Sequence, residues 1–203
     1  MLKIVQVETL ISCGPFSASK EWEKTRRALH KAIRAVDWPP GSGKFTIFPE
    51  SGKRRRAGNG VTPIKRDLME ELKRQAWKLE EQLDIAARIR AGSFDAVLYT
   101  KQGPFAFEWE TGNISSSHRA LNKMALGLLR RLIVGGTLVV PSRNLYQYLT
   151  DRVGNFAELA PYLDLWKAVP CKNGVLEIAV IEQDAVSRKV PKIPKGTSGR
   201  ALA

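Results

Sequence analysis

One short segment in the middle of the chain constrains the fold more than any other. Between positions 105 and 110, the aromatic residues Phe105, Phe107 and Trp109 alternate with small or acidic residues, among them Glu108 and Glu110. Because successive side chains of a strand point to opposite faces, the aromatic residues share one face and the two glutamates, about 7 Å apart, share the other. We therefore predict a strand with an apolar face in the core and an acidic face available for chemistry.

The preceding segment supplies a partner for this strand. Residues 93–100 have a strand pattern and residues 101–104 are typical of a turn, so the two segments are predicted to form a hairpin. With the turn centred between its second and third residues, Asp95 lies across from Glu110 and diagonal to Glu108 on the same face. A loop of two or four residues keeps the three carboxylates on that face, whereas a loop of three would separate them.

Three carboxylates on one sheet face repel one another, and a bound cation removes that cost. Hard divalent ions such as Mg²⁺ prefer carboxylate oxygens and water, and they leave positions open for phosphate oxygens. Glu80 is a candidate fourth carboxylate, since a helix is predicted from Pro63 to about Glu81. The alternative interpretation is a solvated strand face with ordinary acidic residues.

The charge balance favours a polyanionic partner. The 203 residues include 33 Lys and Arg against 20 Asp and Glu, which gives a net charge of +13. Such a surface attracts nucleic acid or an anionic membrane, with a merely soluble basic protein as the alternative. An acidic cluster inside so basic a chain favours a metal ion bound against a DNA backbone. The basic run Lys53–Arg56 is expected to bind phosphates without reading sequence.

The acidic strand leads into a predicted helix, from about Ser116 to Leu132. Gly112 permits a sharp turn before it, and Ser115–Ser117 are natural N-caps. The free N–H groups at a helix N-terminus bind phosphate. Asn113, a serine and Arg119 also suit base edges, since Asn pairs with adenine and Arg with guanine. A plain capped helix is the alternative.

The alternation of strand and helix patterns predicts an α/β fold, with a central mixed β-sheet flanked by helices. The length favours one domain, or at most two, and the sequence shows no domain boundary, so we predict one domain over residues 1–203 with a short extended C-terminal arm from about residue 185. No apolar run approaches the roughly 20 residues that span a bilayer, and the N-terminus lacks a signal-peptide pattern. With Cys13 and Cys171 as lone thiols, we expect a cytoplasmic bacterial protein with no membrane partner.

Four segments of the chain resemble the BamHI/OkrAI-like family of type II restriction endonucleases, within the PD-(D/E)xK nuclease superfamily. They are residues 59–65, 107–123, 148–156 and 193–196, in the family's order and at similar spacings. The resemblance implies a restriction-endonuclease-like core and a Mg²⁺-dependent, site-specific deoxyribonuclease. It also implies that Mn²⁺ substitutes for Mg²⁺ and that Ca²⁺ binds without supporting cleavage.

The resemblance assigns the catalytic residues as well. It implies that Asp95, Glu108 and the main-chain carbonyl of Trp109 hold one Mg²⁺, and that Glu80 shares Asp95 to hold a second. Where most of the superfamily has a lysine, this chain has Glu110, which orients or deprotonates the attacking water. The implied reaction is in-line hydrolysis of a double-stranded DNA phosphodiester, leaving 5′-phosphate and 3′-hydroxyl ends.

The same resemblance places DNA-binding residues at six positions: Asn113, Ser115, Arg119, Asp151, Arg152 and Lys65. The first three are implied to contact the inner and middle base pairs, the next two to read the outer G·C pair, and the lysine to make a further contact. The expected site is GGATCC, cut after the first G.

A palindromic site is read by a two-fold symmetric dimer. The predicted helices beginning near Ser116 and Phe156 resemble the family's dimer helices, so a homodimer is implied, together with a cognate DNA methyltransferase that protects host DNA. The chain ends at Ala203, so the family's longer C-terminal arm is expected to be shortened.

Two other functions remain open at the level of sequence. One is a catalytically inactive, sequence-specific DNA-binding protein on the same scaffold, and the intact carboxylates argue against it. The other is a basic RNA-binding protein, which favours exposed aromatic residues that stack on bases. The aromatic row that ends at Trp109 is instead predicted to face the core.

Overall fold

A six-stranded mixed sheet forms the centre of the molecule. The computed structural model describes residues 1–52, 57–85, 92–150 and 153–195. The strands are β1 Lys3–Cys13, β2 Thr46–Ile47, β3 Lys78–Glu81, β4 Phe94–Thr100, β5 Gly103–Trp109, β6 Gly135–Pro141, β7 Gly174–Glu182 and β8 Ala185–Val186. The helices are α1 Gly14–Ser17, α2 Lys20–Ala35, α3 Thr62–Arg74, α4 Ile114–Leu129, α5 Arg143–Tyr146, α6 Phe156–Leu159 and α7 Leu163–Lys167.

The strand order of the central sheet is β1-β7-β6-β5-β4-β3. The strands β7, β6 and β5 run parallel to one another, and the remaining neighbours pair antiparallel. β2 and β8 form a separate parallel pair. The predicted α/β fold with a central mixed sheet is therefore confirmed.

Each face of the sheet carries its own hydrophobic core. On one face the row Phe105, Phe107 and Trp109 is buried against α2 and α3, as predicted from the alternation. Trp77 meets the first two of these rings edge-on, at 6.1 Å between ring centroids. On the other face α4 packs its apolar stripe, including Leu121, on the sheet. The alternating strand thus separates an aromatic face from the face that carries the acids.

The predicted helix to about Glu81 is wrong over roughly its last two turns. Helix α3 ends at Arg74, and Ala76 adopts a left-handed backbone conformation with φ of 65°. The following residues form β3, which pairs antiparallel with β4. The backbone hydrogen bonds of this strand pairing, together with burial of Trp77, outweigh the helical pattern of the segment. Glu80 therefore lies on an edge strand and not on a helix.

The hairpin of β4 and β5 forms, with a register two residues from the predicted one. Thr100 pairs with Gly103, so the two-residue loop is 101–102. The left-handed φ of 137° at Gly103 favours glycine there, and a Cβ at this position would lie only 2.9 Å from the Val134 side chain. Because the shift is an even number of residues, the predicted faces are unchanged.

Helix α4 begins earlier than predicted from the serines. Asn113 is its N-cap, and the side-chain oxygen of Asn113 accepts a hydrogen bond from the Ser115 N–H at 3.0 Å. Asparagine is as good an N-cap as serine, and from its earlier position it accepts the free N–H group of Ser115 in the first turn. The helix N-terminus consequently lies four residues after the end of β5.

The C-terminal segment packs along the body of the molecule as far as Lys195. The indole N–H of Trp38 donates to the Pro191 carbonyl at 2.8 Å, and the buried Ile193 N–H donates to the Asn59 side chain at 3.1 Å. The end of the predicted arm, 196–203, lies outside the described residues, as does the basic run 53–56.

No helix in the described part of the chain is long and apolar enough to span a membrane. Both cysteines are free thiols.

Candidate active site

Three neighbouring strands place acidic residues in one row across the sheet. The β4–β5 pairing, extended one step beyond its last pair, places Asp95 directly across from Glu108. The β3–β4 pairs on either side place Glu80 across from Asp95. Glu110 follows β5 and lies on the same side as Glu108. The predicted partner of Asp95 was Glu110, so the shifted register brings Asp95 and Glu108 closer than expected.

The acids line a cavity between the sheet and the start of α4. The cavity has a volume of about 480 Å³, and it is lined by Gly92, Ser93, Asp95, Glu108, Glu110, Ser116, Arg119, Ala120 and Lys123. Three of the four predicted catalytic carboxylates share this space. The side chain of Glu80 is exposed and accepts a hydrogen bond from the Ser93 hydroxyl at 3.1 Å, so it reaches the edge of the cavity.

Burial and mutual repulsion make two of these carboxylates harder to ionise. Burial, followed by the neighbouring Asp95 charge, raises the pKa of Glu108 above its ordinary value. Burial, followed by the charges of Glu108 and Asp95, raises the pKa of Glu110 to about 7. Both shifts show an excess of negative charge in a poorly solvated place, which favours a bound cation.

Two lysines neutralise part of this charge. The Lys65 ammonium lies 2.5 Å from Asp95 Oδ1, and the Lys123 ammonium lies 2.5 Å from Glu108 Oε1. Lys123 also donates to the Ser93 carbonyl at 2.6 Å and lies 4.2 Å from the centre of the Phe94 ring. The second oxygen of Asp95, Oδ2, accepts the main-chain N–H of Trp109 at 2.8 Å.

The predicted DNA-binding residues divide into three groups in the structure. Asn113, Ser115 and Arg119 are exposed at the first turns of α4, where Arg119 also lines the cavity. Lys65 points into the acidic cluster. Positions 151 and 152 lie outside the described residues.

Comparison with known proteins identifies the family. The model of the family "Restriction endonuclease BamHI" matches residues 2–200 of the chain. The type II restriction enzyme OkrAI of Oceanobacter kriegii is 47% identical over 201 residues, which is 99% of this chain and 100% of that protein. The type II restriction enzyme BamHI of Bacillus amyloliquefaciens is 36% identical over 192 residues, covering 90% of this chain and 85% of that protein. The chain belongs to the BamHI restriction endonuclease family.

The fold of a more distant restriction endonuclease agrees with this assignment. The crystal structure of BglII in complex with a DNA 16-mer superposes with a TM-score of 0.59 over 91% of this chain and 79% of that one, at 8% sequence identity. That likeness concerns the fold alone. Membership of the BamHI family makes the chain a DNA-binding, site-specific deoxyribonuclease of type II, as the resemblance implied.

Restriction endonucleases of the BamHI family need a divalent metal ion, and the acidic cavity suits one by its chemistry. Its donors are carboxylate oxygens, which hard divalent cations prefer. Within the part of the chain that the structure describes, no three acidic, histidine or cysteine side chains are grouped closely enough to hold a metal ion together. The ammonium groups of Lys65 and Lys123 lie on the carboxylates instead. The donor set therefore fits a divalent cation that replaces at least one of these lysine contacts.

Sequence reasoning missed the role of Lys123 in this site. The residue lies four positions after Arg119 on α4, and residues four apart share one face of a helix. Since Arg119 had been predicted to contact DNA, this spacing was the signal that could have placed Lys123 on the same side of the helix. Pattern could not show that Lys65, 30 residues before Asp95, contacts that carboxylate.

Proposed function

We propose that this enzyme cleaves double-stranded DNA at GGATCC, after the first G, by Mg²⁺-dependent hydrolysis that leaves 5′-phosphate and 3′-hydroxyl ends. The observation that carries the proposal is the convergence of Asp95, Glu108 and Glu110 in one cavity beside the N-terminus of α4. Family membership supports the reaction class, and the resemblance to BamHI supports the sequence and the cut position.

Asp95, Glu108 and the Trp109 carbonyl are the proposed ligands of one Mg²⁺, and Asp95 with Glu80 those of a second. When bound, two such ions would supply positive charge that acidifies the attacking water and stabilises the leaving 3′ oxygen. The chain positions these ligands through the hairpin: the Trp109 N–H holds Asp95 Oδ2, and the strand pairing places Glu108 opposite. The exposed position of Glu80 at the edge of the cavity suits a less tightly held second ion.

Glu110 is the proposed partner of the attacking water. A pKa of about 7 lies in the range where a carboxyl group both holds and releases a proton near neutral pH, which suits a general base. The same carboxylate can accept a hydrogen bond from the water and orient it. Either role requires the ionised form of Glu110, which a nearby divalent cation favours.

Base reading is proposed for the first turns of α4 and for the segment after α5. Asn113, Ser115 and Arg119 are exposed beside the catalytic cavity, so base contacts by these residues would align the scissile phosphate with the carboxylates. Asp151 and Arg152 are proposed to read the outer G·C pair, with the carboxylate accepting from cytosine and the guanidinium donating to guanine.

A homodimer follows from the proposed palindromic site, and exposed apolar side chains on the predicted dimer helices support it. Four large apolar residues remain exposed near the end of α4 and around α7: Leu129, Leu132, Tyr162 and Leu165. Their exposed fractions run from 40% to 65%, and they lie on or beside the two helical segments that the resemblance assigns to the dimer. Sedimentation should give twice the chain mass of 22.6 kDa, and a monomer at micromolar concentration would contradict the dimer. A cognate methyltransferase would then protect host GGATCC sites.

The direct test is digestion of a plasmid of known sequence with Mg²⁺, followed by sequencing of the ends. We expect cuts after the first G of GGATCC, similar products with Mn²⁺, and binding without cleavage in Ca²⁺. Cuts at another sequence would show that the proposed specificity is wrong, and the assignment as a site-specific endonuclease would stand. Sequence-specific binding without cleavage in any divalent ion would favour the catalytically inactive alternative.

A further inference from the structure

Asp95 has both of its carboxylate oxygens engaged before any cation binds. Oδ2 accepts the main-chain N–H of Trp109 at 2.8 Å, and that bond is fixed by the strand. Oδ1 lies 2.5 Å from the ammonium of Lys65. A cation that binds Asp95 at its other oxygen, Oδ1, therefore has to take the position that the lysine holds, because two cations at one oxygen repel each other.

The two lysines of the site differ in how firmly they are held. The side chain of Lys123 is 8% exposed and contacts Glu108, the Ser93 carbonyl and the Phe94 ring. The side chain of Lys65 is 36% exposed and reaches Asp95 from the first turn of α3. Removing Lys123 from its place would leave a buried ammonium without those partners, whereas Lys65 can turn into solvent. Lys65 is thus the lysine that can leave.

We infer that Lys65 is an exchangeable counter-ion of Asp95, which a divalent cation displaces and which then binds a DNA phosphate. The inference rests on the proposed metal site. It adds a coupling between the binding of the cation and the binding of DNA. Cation binding at Asp95 releases Lys65 for DNA, and a DNA phosphate that attracts Lys65 exposes Asp95 Oδ1 to the cation. Since such coupling is reciprocal, each ligand strengthens the binding of the other. Without DNA, Lys65 keeps the cation affinity low.

The first test is a calorimetric titration of the DNA-free enzyme with Ca²⁺, which avoids cleavage. We expect Lys65→Met to bind Ca²⁺ about tenfold more tightly than the wild-type enzyme, since the cation no longer competes with an ammonium. Arg66→Met is the matched control, because it removes a positive charge next to Lys65 on the same helix without freeing a carboxylate of the cavity. The side chain of Arg66 is 68% exposed and pairs with Asp67. This control should not tighten Ca²⁺ binding more than about threefold.

The second test measures the coupling itself. The affinity for a duplex containing the mapped cleavage site is measured with and without Ca²⁺. Ca²⁺ should strengthen DNA binding by the wild-type enzyme, and the gain should shrink about threefold or more in Lys65→Met and persist in Arg66→Met.

Each outcome separates this inference from the metal site on which it rests. Equal tightening of Ca²⁺ binding in Lys65→Met and in Arg66→Met would show a general effect of lost positive charge and would overturn the exchange. Unchanged Ca²⁺ affinity in Lys65→Met would overturn it as well. Loss of Ca²⁺ binding in Asp95→Ala would support the metal site in either case. If the wild-type and Lys65→Met proteins both fail to bind Ca²⁺, the metal site is wrong and the exchange with it.

Discussion

Two buried carboxylate clusters lie on opposite faces of the same sheet, one residue row apart. On the aromatic face, Glu177 of β7 is 1% exposed and meets the Arg26 guanidinium at 3.0 Å, His30 Nε2 at 3.6 Å and the Thr137 hydroxyl at 3.3 Å. On the opposite face, Glu108 is almost as deeply buried and is paired with Lys123. Burial of an acid and its pairing with a base are common to both clusters.

The clusters differ in charge balance and in space. Glu177 is one carboxylate with basic groups on two sides, packed into the core that α2 covers. Glu108 shares a cavity of about 480 Å³ with two further carboxylates, and two lysines contact only part of that charge. Carboxylates whose charge is only partly neutralised, next to a cavity, favour the binding of a cation. The comparison shows that these two features, and not burial of an acid, mark the catalytic face.

The largest effect is expected from Glu108→Ala. We expect this variant to lose at least a thousandfold in cleavage rate, because it removes a proposed metal ligand from the reacting centre. Binding to GGATCC duplex in Ca²⁺ should largely survive, since the base-reading residues are untouched. The measurements are single-turnover cleavage in Mg²⁺ and a binding titration in Ca²⁺.

Asp95→Ala is the companion variant, and it should also abolish cleavage. Cleavage by Asp95→Ala at the wild-type rate would show that the metal ligands have been assigned wrongly. Thermal unfolding of both variants distinguishes a lost ligand from a lost fold.

A glutamate-to-alanine change on the aromatic face should reduce the stability of the protein and leave its cleavage rate nearly unchanged. Glu177→Ala leaves the Arg26 guanidinium and the Thr137 hydroxyl without their acceptor, and breaking a buried ion pair costs roughly 3–5 kcal/mol. Because Arg26 is 40% exposed and keeps part of its hydration, we expect about 3 kcal/mol of lost stability, at the lower end of that range. Urea denaturation measures this loss. The cleavage rate per folded molecule should stay within about threefold of wild type, and a loss comparable to that of Glu108→Ala would contradict the division between the two faces.

Local alternation was enough to predict which face each side chain of β5 takes. The period of two placed Trp109 in the core and Glu108 with Glu110 on the other side, and any even change of register preserves that result. The same pattern could not fix which acid lies opposite Asp95, because the turn chemistry of Lys101–Gly103 allows more than one register. Prediction from sequence was therefore reliable for faces and not for pairs.

Contacts between distant segments were beyond local pattern altogether. The helical stripe in residues 63–81 continued past Arg74, and only the pairing of β3 with β4 shows that Glu80 belongs to an edge strand. The lysine at position 65 was assigned to DNA by resemblance, and its contact with Asp95 depends on how α3 packs against the sheet. Such contacts follow from tertiary packing, which the spacing of residues along the chain does not encode.

The smallest effect concerns how the stability contributed by Glu110, one of the carboxylates of the acidic cavity, depends on pH. The pKa of Glu110 in the folded protein is raised to about 7 from an ordinary 4.5. Between these values the folded state binds the proton more tightly than the unfolded state, so Glu110 contributes stability below pH 4.5 that is lost as the pH rises through 7. Glu110→Gln, which is neutral at every pH, lacks this loss.

The unfolding midpoint of wild type minus that of Glu110→Gln should therefore fall from pH 5 to about pH 7 in EDTA and level off at higher pH. In excess Ca²⁺ the fall should be smaller, because a cation in the cavity stabilises the ionised carboxylate and lowers its pKa. A difference that is constant with pH would show that Glu110 is ordinarily solvated. The equivalent experiment on Glu177 should show no such response to Ca²⁺, since its cluster on the aromatic face is already closed by Arg26 and His30 and has no place for the ion.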